Sequence, residues 1–287
     1  MMKGPYVVAA CLFLALIVGH LWIGCTSNPA TPDETDVVLR GYLYANEPVT
    51  DIQLTVSNPI GSNDSTYRPI TSASVALLKD GIRYGLVADA SHPGYYIFSG
   101  SGLSVSTGDI FRIEASYDGK LVTAQTVVPP KPEGVSMSAS TMHFTKDTIQ
   151  TPMGDLTMVT SSDSVQVTWS NASQDYYYLV VESVDSARTL MREDSVGQFG
   201  GGQGLELRFI SQPTNQSSYT IVSNSIEYTG KHLVKLYRIN KEYADLYRSR
   251  MQDSRALNEP LTNVSNGLGV FSAFASVNVE FMVTLDQ

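Results

Sequence analysis

Short runs that alternate apolar with polar residues, each cut off by a turn signal, fill the first half of the chain and leave room for little except β-structure. Ile52, Leu54 and Val56 alternate with Gln53 and Thr55, and Phe111, Ile113 and Ala115 alternate with Arg112 and Glu114. A period of two gathers the apolar set on one face of a pleated strand and leaves the other face wet. Two Asp-Gly pairs, Asp80-Gly81 and Asp118-Gly119, sit between such runs. Asp and Gly both tolerate the positive φ of a type I′ turn, so each pair predicts a two-residue hairpin. From Asp36 to Val128, short strands with frequent turn signals predict a β-sandwich.

Val128-Pro129-Pro130-Lys131-Pro132-Glu133-Gly134 then interrupts any ladder, because proline brings no backbone donor. The expected boundary falls there, with one sandwich over residues 36–130 and a second over 131–287. In the second, Val165–Trp169, Tyr176–Val181, Leu205–Ile210, Tyr219–Val222, His232–Ile239 and Asn278–Leu285 read as strands, with Trp169 as a core indole. Between Asn240 and Met251, Tyr243, Leu246, Tyr247 and Arg250 recur at three- and four-residue spacing, which predicts an inserted helix near 240–251. Asn240 is placed to cap it. The expected fold class is therefore mainly β: two consecutive β-sandwich domains, the first transthyretin/carboxypeptidase-regulatory-like and the second fibronectin type III-like with one helix. A Pro-rich connection predicts two separable domains.

The first 24 residues read as a signal peptide. Lys3 supplies a positive start, and Tyr6–Gly24 is apolar except for His20. That run is also long enough for a retained membrane anchor, which needs about 20 residues. Leu21-Trp22-Ile23-Gly24-Cys25, followed by the polar Thr26-Ser27-Asn28-Pro29, resembles a bacterial lipobox, in which the cysteine is acylated and becomes the new N-terminus. Trp22 stands where such signals usually carry leucine. Cys25 is thus the expected lipid anchor, residues 25–35 a tether, and the outer membrane the expected location, with the periplasmic or cell-surface side left open. Cys11 and Cys25 are the only cysteines, so the body past the tether holds no disulfide.

Charge and motif content narrow the function further. A formal net charge of −9 argues against a nucleic-acid partner. His92, His143 and His232 are far apart in sequence and none belongs to a His-Glu-x-x-His frame, so neither a metal nor another cofactor is expected. His232 reads as a residue on the wet face of its strand. No Gly-x-Ser-x-Gly elbow occurs. The glycines of Gly197–Gly204 lack the Lys-Ser/Thr of a phosphate loop. Asp33, Glu34 and Asp36 are tether charges without the glycine turn of a calcium loop. The chain is therefore expected to be no enzyme.

Tyrosine is the better clue, with 16 tyrosines against 2 tryptophans. Tyr176-Tyr177-Tyr178 on one strand must send rings to both faces, either toward a partner or under the helix. Asp followed by Ser or Thr recurs at Ser65, Thr148, Ser164, Ser186 and Ser195, which resembles the O-glycosylation acceptor pattern of exported Bacteroidetes proteins. In Asn263–Phe271, glycines at 267 and 269 predict a bulge or left-handed turn. Val270, Phe271 and Phe274 would follow it into the second sandwich, and Asn263 and Asn266 would bond the backbone of the turn.

Several stretches together resemble a known family. Val38-Leu39-Arg40-Gly41-Tyr42-Leu43, Ile70–Leu77, Gly108–Ile113, Ala124–Pro129 and the closing Asn263–Phe271 are similar to the Bacteroidetes lipoprotein family known as domain-of-unknown-function family 4249. The resemblance implies an envelope lipoprotein without assigned activity, often encoded near TonB-dependent outer-membrane transporters. The expected function is a non-enzymatic accessory or ligand-capturing partner of such a transporter, or alternatively a structural or adhesive cell-surface protein.

Overall fold

The two Asp-Gly pairs form the turns their residues favour. In the computed structural model, Asp80 and Gly81 have φ of 51° and 78°, and Asp118 and Gly119 have 48° and 74°. The first turn joins β3 to β4 and the second β6 to β7 in a run of seven strands: β1 (Val37–Tyr44), β2 (Asp51–Val56), β3 (Ser74–Lys79), β4 (Ile82–Ala88), β5 (Tyr95–Ile97), β6 (Ile110–Tyr117) and β7 (Lys120–Val127). Ten more strands and a helix follow: β8 (Ser136–Met137), β9 (Thr141–Thr151), β10 (Gly154–Thr160), β11 (Ser164–Thr168), β12 (Tyr176–Ser183), β13 (Arg208–Ile210), β14 (Ser218–Val222), β15 (Gly230–Ile239), α1 (Lys241–Arg250), β16 (Val264–Ser265) and β17 (Leu268–Asp286). The structure describes residues 36–58, 66–151, 154–191, 207–250 and 262–286. Asp36–Ser57 with Tyr67–Gln287 form one unit, and the account below concerns that unit.

The architecture is mainly β with sandwich-like sheets around two cores. In the first core, Leu39, Ile52, Leu54, Leu77, Phe111, Ile113 and Val122 are fully buried, as the period-two pattern requires. The sheet curls around this core because β4 pairs with both β3 and β5. The second core packs Val165, Val167 and Trp169 against Tyr177, Leu179, Val181, Val234 and Leu236. Its second layer is a three-stranded sheet in the order β14-β11-β8. The hairpin of β9 and β10 was not anticipated, because Thr141–Thr160 carries no Asn-Gly or Asp-Gly pair and little alternation.

A single 19-residue strand, β17, joins these parts. Its first half, Leu268–Phe274, runs parallel to β1. Phe274–Val283 pairs antiparallel with β15, and Met282–Asp286 runs parallel to β9. Phe271 and Ala273 therefore enter the first core, while Phe281 and Val283 enter the second. This corrects the expectation that Val270, Phe271 and Phe274 all enter the second sandwich. It also replaces the expectation of two separable chain segments, because the first core takes Val264, Phe271 and Ala273 from beyond the Pro-rich stretch.

The closing motif is built for that passage. Gly269 has φ of 111° and lies opposite Leu39 in the parallel pair. A Cβ there would overlap the Leu39 carbonyl oxygen. Asn263 substitutes for a strand at the other side of Phe271: its amide nitrogen donates to the Phe271 carbonyl at 2.7 Å, and its carbonyl accepts the Phe271 N–H at 2.9 Å. Thr262 Oγ1 donates to the Gly269 carbonyl at 2.8 Å. Asn266, with φ of 59°, donates to the Leu121 carbonyl at 3.1 Å.

His232 departs from its expected place on the wet face. It is 3% exposed and stacks on Phe281 with centroids 5.2 Å apart. Its position along β15 has the same parity as Val234 and Leu236, both in the second core, so the ring is carried inward with them. Burial holds its pKa below the ordinary histidine value, opposed by the contact of Nδ1 with the Gly230 carbonyl oxygen at 3.1 Å.

Candidate functional site

On the reverse face of the long sheet, away from both cores, strands from both halves of the protein bring aromatic rings together. Strand parity selects them: with Leu39 and Leu43 turned into the first core, Tyr42 and Tyr44 of β1 must face the other way. Tyr178 of β12, Tyr237 of β15 and Phe274 of β17 share that face. Register then sets the contacts, because Tyr44 lies opposite Phe274 and Tyr178 opposite Tyr237. Tyr178 and Tyr237 stack at 4.8 Å and 13°, and Tyr44 stacks on Phe274 at 5.1 Å and 23°.

The predicted helix covers this cluster. Tyr243 of α1 meets Tyr42 and Phe274 edge-on, with centroids 5.5 Å and 4.9 Å away. Ala244 is fully buried, so its small side chain allows the helix to approach the sheet closely. Arg248 lies over the Tyr176 ring at 4.9 Å. Asn240 spends its side-chain amide on the first sandwich, donating to the Val127 carbonyl at 2.8 Å and to Thr126 Oγ1 at 2.9 Å.

The three consecutive tyrosines are thereby accounted for. Tyr177 packs on Trp169 in the second core at 5.3 Å, Tyr178 is 8% exposed under the helix, and Tyr176 is half-buried beneath Arg248. As a contact residue for a partner protein, Tyr177 has no free face, being buried in the second core, while Tyr178 is covered by the helix except where it lines a cleft.

Where the rings end, the same face opens into a cleft of about 270 Å³. By strand register, Tyr44, Tyr178 and Tyr237 form its inner end, Val180 and Lys235 its middle, and Leu233, Glu182 and Arg208 its outer end. Lys235 Nζ bonds Glu47 Oε1 at 2.7 Å, across from the turn between β1 and β2. The ammonium also lies 5.0 Å from the Tyr237 ring centroid. Burial pushes the Tyr178 and Tyr44 hydroxyls well above the ordinary tyrosine range, and the Asp51 carboxylate adds to the shift at Tyr44. For Lys235, burial works downward, but the bonds to Glu47 and Tyr237 outweigh it and its pKa is raised. The hydroxyls therefore stay protonated and the ammonium charged at neutral pH.

Sequence reasoning missed this cleft because its walls come from segments far apart in the chain; the signal available was the alternation Leu233, Lys235, Tyr237 on β15. The other candidate residues do not converge on it. Thr148, Ser164 and Ser186 are exposed, on β9, on β11 and in the loop after β12. Cys25, Ser65 and Ser195 lie outside the described residues, as do residues 1–24, the expected signal peptide. Two histidines have carboxylate neighbours on the surface: His92 Nδ1 is 2.8 Å from Asp89 Oδ2, and His143 Nδ1 is 3.1 Å from Asp163 Oδ2. Among the described residues, no three potential ligands cluster as a metal site would require, and no helix is long and apolar enough to cross a membrane.

Fold and cleft together define a mainly β, sandwich-like protein in which two cores share one strand and a tyrosine-lined depression. The chain belongs to the family described as Domain of unknown function (DUF4249), whose model matches residues 26–279. Among solved structures, it is similar to the FN1-FN3 domains of chicken CNTN1, with 10% identity and a TM-score of 0.28, over 88% of this chain and 66% of that one. It is also similar to domains A168-A170 from titin, with 10% identity and a TM-score of 0.20, over 87% of this chain and 66% of that one. The chain thus spans about two thirds of the length of either structure. No curated protein matches it.

Proposed function

We propose that the protein is a non-enzymatic outer-membrane lipoprotein, anchored through Cys25, that holds a small oxygen-rich ligand in the tyrosine cleft as an accessory of a TonB-dependent transporter. One observation carries the binding role: the groups converging on the cleft keep a fixed protonation state at neutral pH. A general acid or base works best with a pKa near the operating pH. The Tyr178 hydroxyl, held far above that range, and Lys235, raised by its partners, donate hydrogen bonds without exchanging protons, while the Tyr44 hydroxyl donates to Asp51 Oδ2 at 3.3 Å. Arg208 adds further donors at the outer end. A cleft of about 270 Å³ is slightly below the range of drug-sized sites, about 300–1,000 Å³, and suits a molecule of one ring or fewer.

The anchor and the partner rest on the reading of Cys25, on the family membership and on the sheet surfaces available for contact. The test is to isolate the protein from intact envelopes and identify what accompanies it. The parent chain should label with a fatty-acid analogue, retain a small molecule measurable by native mass spectrometry, and crosslink to a barrel protein. Cys25→Ala should abolish the label, and Lys235→Met with Arg208→Gln should abolish the small molecule. Retention of the small molecule by that double variant would overturn the assignment of the cleft.

A further inference from the structure

Among the described residues, the second sandwich has an open side. β13 ends the long sheet, and β14 ends the three-stranded sheet that faces it. Across the gap, the two edges meet through the Phe209 and Tyr219 rings, whose centroids lie 6.1 Å apart. Beside them runs a cleft of about 590 Å³, with Leu207, Arg208, Phe209 and Ile210 on one wall and Ser225 and Glu227 on the other.

Backbone geometry makes this edge a template. The Leu207 carbonyl and the Ser211 N–H bond inward to Ser183 and Leu179 of β12, and Phe209 lies opposite Val181. By alternation, the N–H and C=O groups of Arg208 and Ile210 point outward along the free edge. Apolar side chains flank them: Leu207 is 38% and Ile210 is 48% exposed, and Val222 at the end of β14 is 50% exposed.

The opposite wall carries a second, independent feature. Glu227 Oε2 is buried and has no hydrogen-bond partner. A buried acceptor left unpaired is costly, and a carboxylate oxygen is best satisfied by a cationic N–H donor.

We propose that this edge is a docking site for an extended segment of a partner protein. The segment adds to β13 as a strand, pairing with the outward groups of Arg208 and Ile210, and places a lysine or arginine on Glu227. Its apolar residues cover Leu207 and Ile210. The chain's net charge of −9 favours such a basic segment over an acidic one. Arg208 also lines the tyrosine cleft, but the docking edge uses only its outward backbone groups, so the proposal does not rest on a ligand in that cleft.

The probe is a fluorescein-labelled peptide of seven residues alternating valine and threonine, with lysine at the centre, and a matched peptide with glutamate there. Anisotropy titration against the mature chain should show the lysine peptide binding about tenfold or more tightly than the glutamate peptide. Hydrogen exchange should slow at the Arg208 and Ile210 amides when the lysine peptide is present. Glu227→Gln should remove the preference for lysine. Ile210→Pro deletes an outward amide, a change that edge strands tolerate, and should abolish binding of both peptides while leaving Trp169 fluorescence and the melting temperature near parental values. Equal affinity for the two peptides, or unchanged exchange at Arg208 and Ile210, would overturn the proposal. If Ile210→Pro unfolds the second core, the exchange measurement on the parent chain still decides the case.

Discussion

Replacing Gly269 with alanine tests whether one strand holds both cores together. The added Cβ meets two separate penalties. At φ of 111°, a side-chain-bearing residue carries roughly 1–3 kcal/mol of backbone strain. The Cβ also overlaps the Leu39 carbonyl, so β1 and β17 must part locally and lose one or two ladder bonds, at about 1 kcal/mol each. The sum is roughly 2–5 kcal/mol, a large share of the 5–15 kcal/mol typical of a folded domain. Gly81→Ala is the control, since Gly81 has φ of 78° with nothing within 4 Å of the added atom and should cost roughly 1–2 kcal/mol. Trp169 is the sole tryptophan of residues 36–287, Trp22 being the chain's other one, and it reports the second core while Gly269 closes the first. In urea titrations followed by Trp169 fluorescence, Gly269→Ala should lower the midpoint in one transition, well below that of Gly81→Ala. If far-UV circular dichroism shows early loss of β-structure while the Trp169 transition stays at its parental midpoint, the cores are independent and the reasoning fails.

Three further outcomes follow from the same structure. Asn263→Ala removes both bonds to the Phe271 backbone and should destabilise by roughly 1–3 kcal/mol, with Asn263→Asp intermediate in chemical denaturation because it keeps the acceptor alone. A fragment of residues 36–128 should fail to unfold cooperatively by itself, and a peptide of residues 262–275 added in trans should restore a cooperative transition; a fragment that folds without the peptide would show that β17 is dispensable. His232 stays neutral in the fold at pH values where the unfolded chain already binds a proton, because its folded pKa lies below 6.5. The unfolded state then binds more protons, so stability falls as pH drops below about 6.5; His232→Phe should flatten that slope below about pH 6.5, and an unchanged slope would assign it to other groups.

How much of this was legible in the sequence depended on whether the deciding interaction was local. The Asp-Gly hairpins are set by the residues in the turn, and the alternation of Ile52–Leu54 and Phe111–Ala115 by strand parity, so both could be read directly. The helix at Lys241–Arg250 was marked by its spacing, and Trp169 by its parity with Val165 and Val167. The path of β17 was not legible, since nothing within Leu268–Asp286 marks the point, at Phe274, where the strand leaves one core for the other. The structure-forming role of Asn263 was visible only as a polar residue near two glycines. His232 was misplaced although Val234 and Leu236 share its parity. The cleft lay furthest from view, because Glu47 and Lys235 are separated by 188 positions and meet only after β17 has brought β1 and β15 into one sheet.

That meeting ties the cleft to the stability of the whole unit. Tyr44 keeps its place at the inner end by stacking on Phe274, and Phe274 is paired on one side with Tyr44 of β1 and on the other with Ile239 of β15. The wall of the cleft is therefore the point through which the two cores are connected. A ligand that occupies the cleft binds the folded arrangement and has no counterpart site in the unfolded chain, where Tyr44, Tyr178 and Lys235 are far apart. Linkage then requires that it stabilise the unit by about 2.7 kcal/mol at a hundred times its dissociation constant. Because β17 runs through both cores, that gain must appear at Trp169, which lies in the second core and not in the cleft. Phe274→Ala separates the two effects: it should cost roughly 3–5 kcal/mol as a buried aromatic deletion, and it should weaken the transmission of ligand binding to the Trp169 transition. A ligand that raises the Trp169 midpoint equally in the parent and in Phe274→Ala would show that the connection runs by some other route.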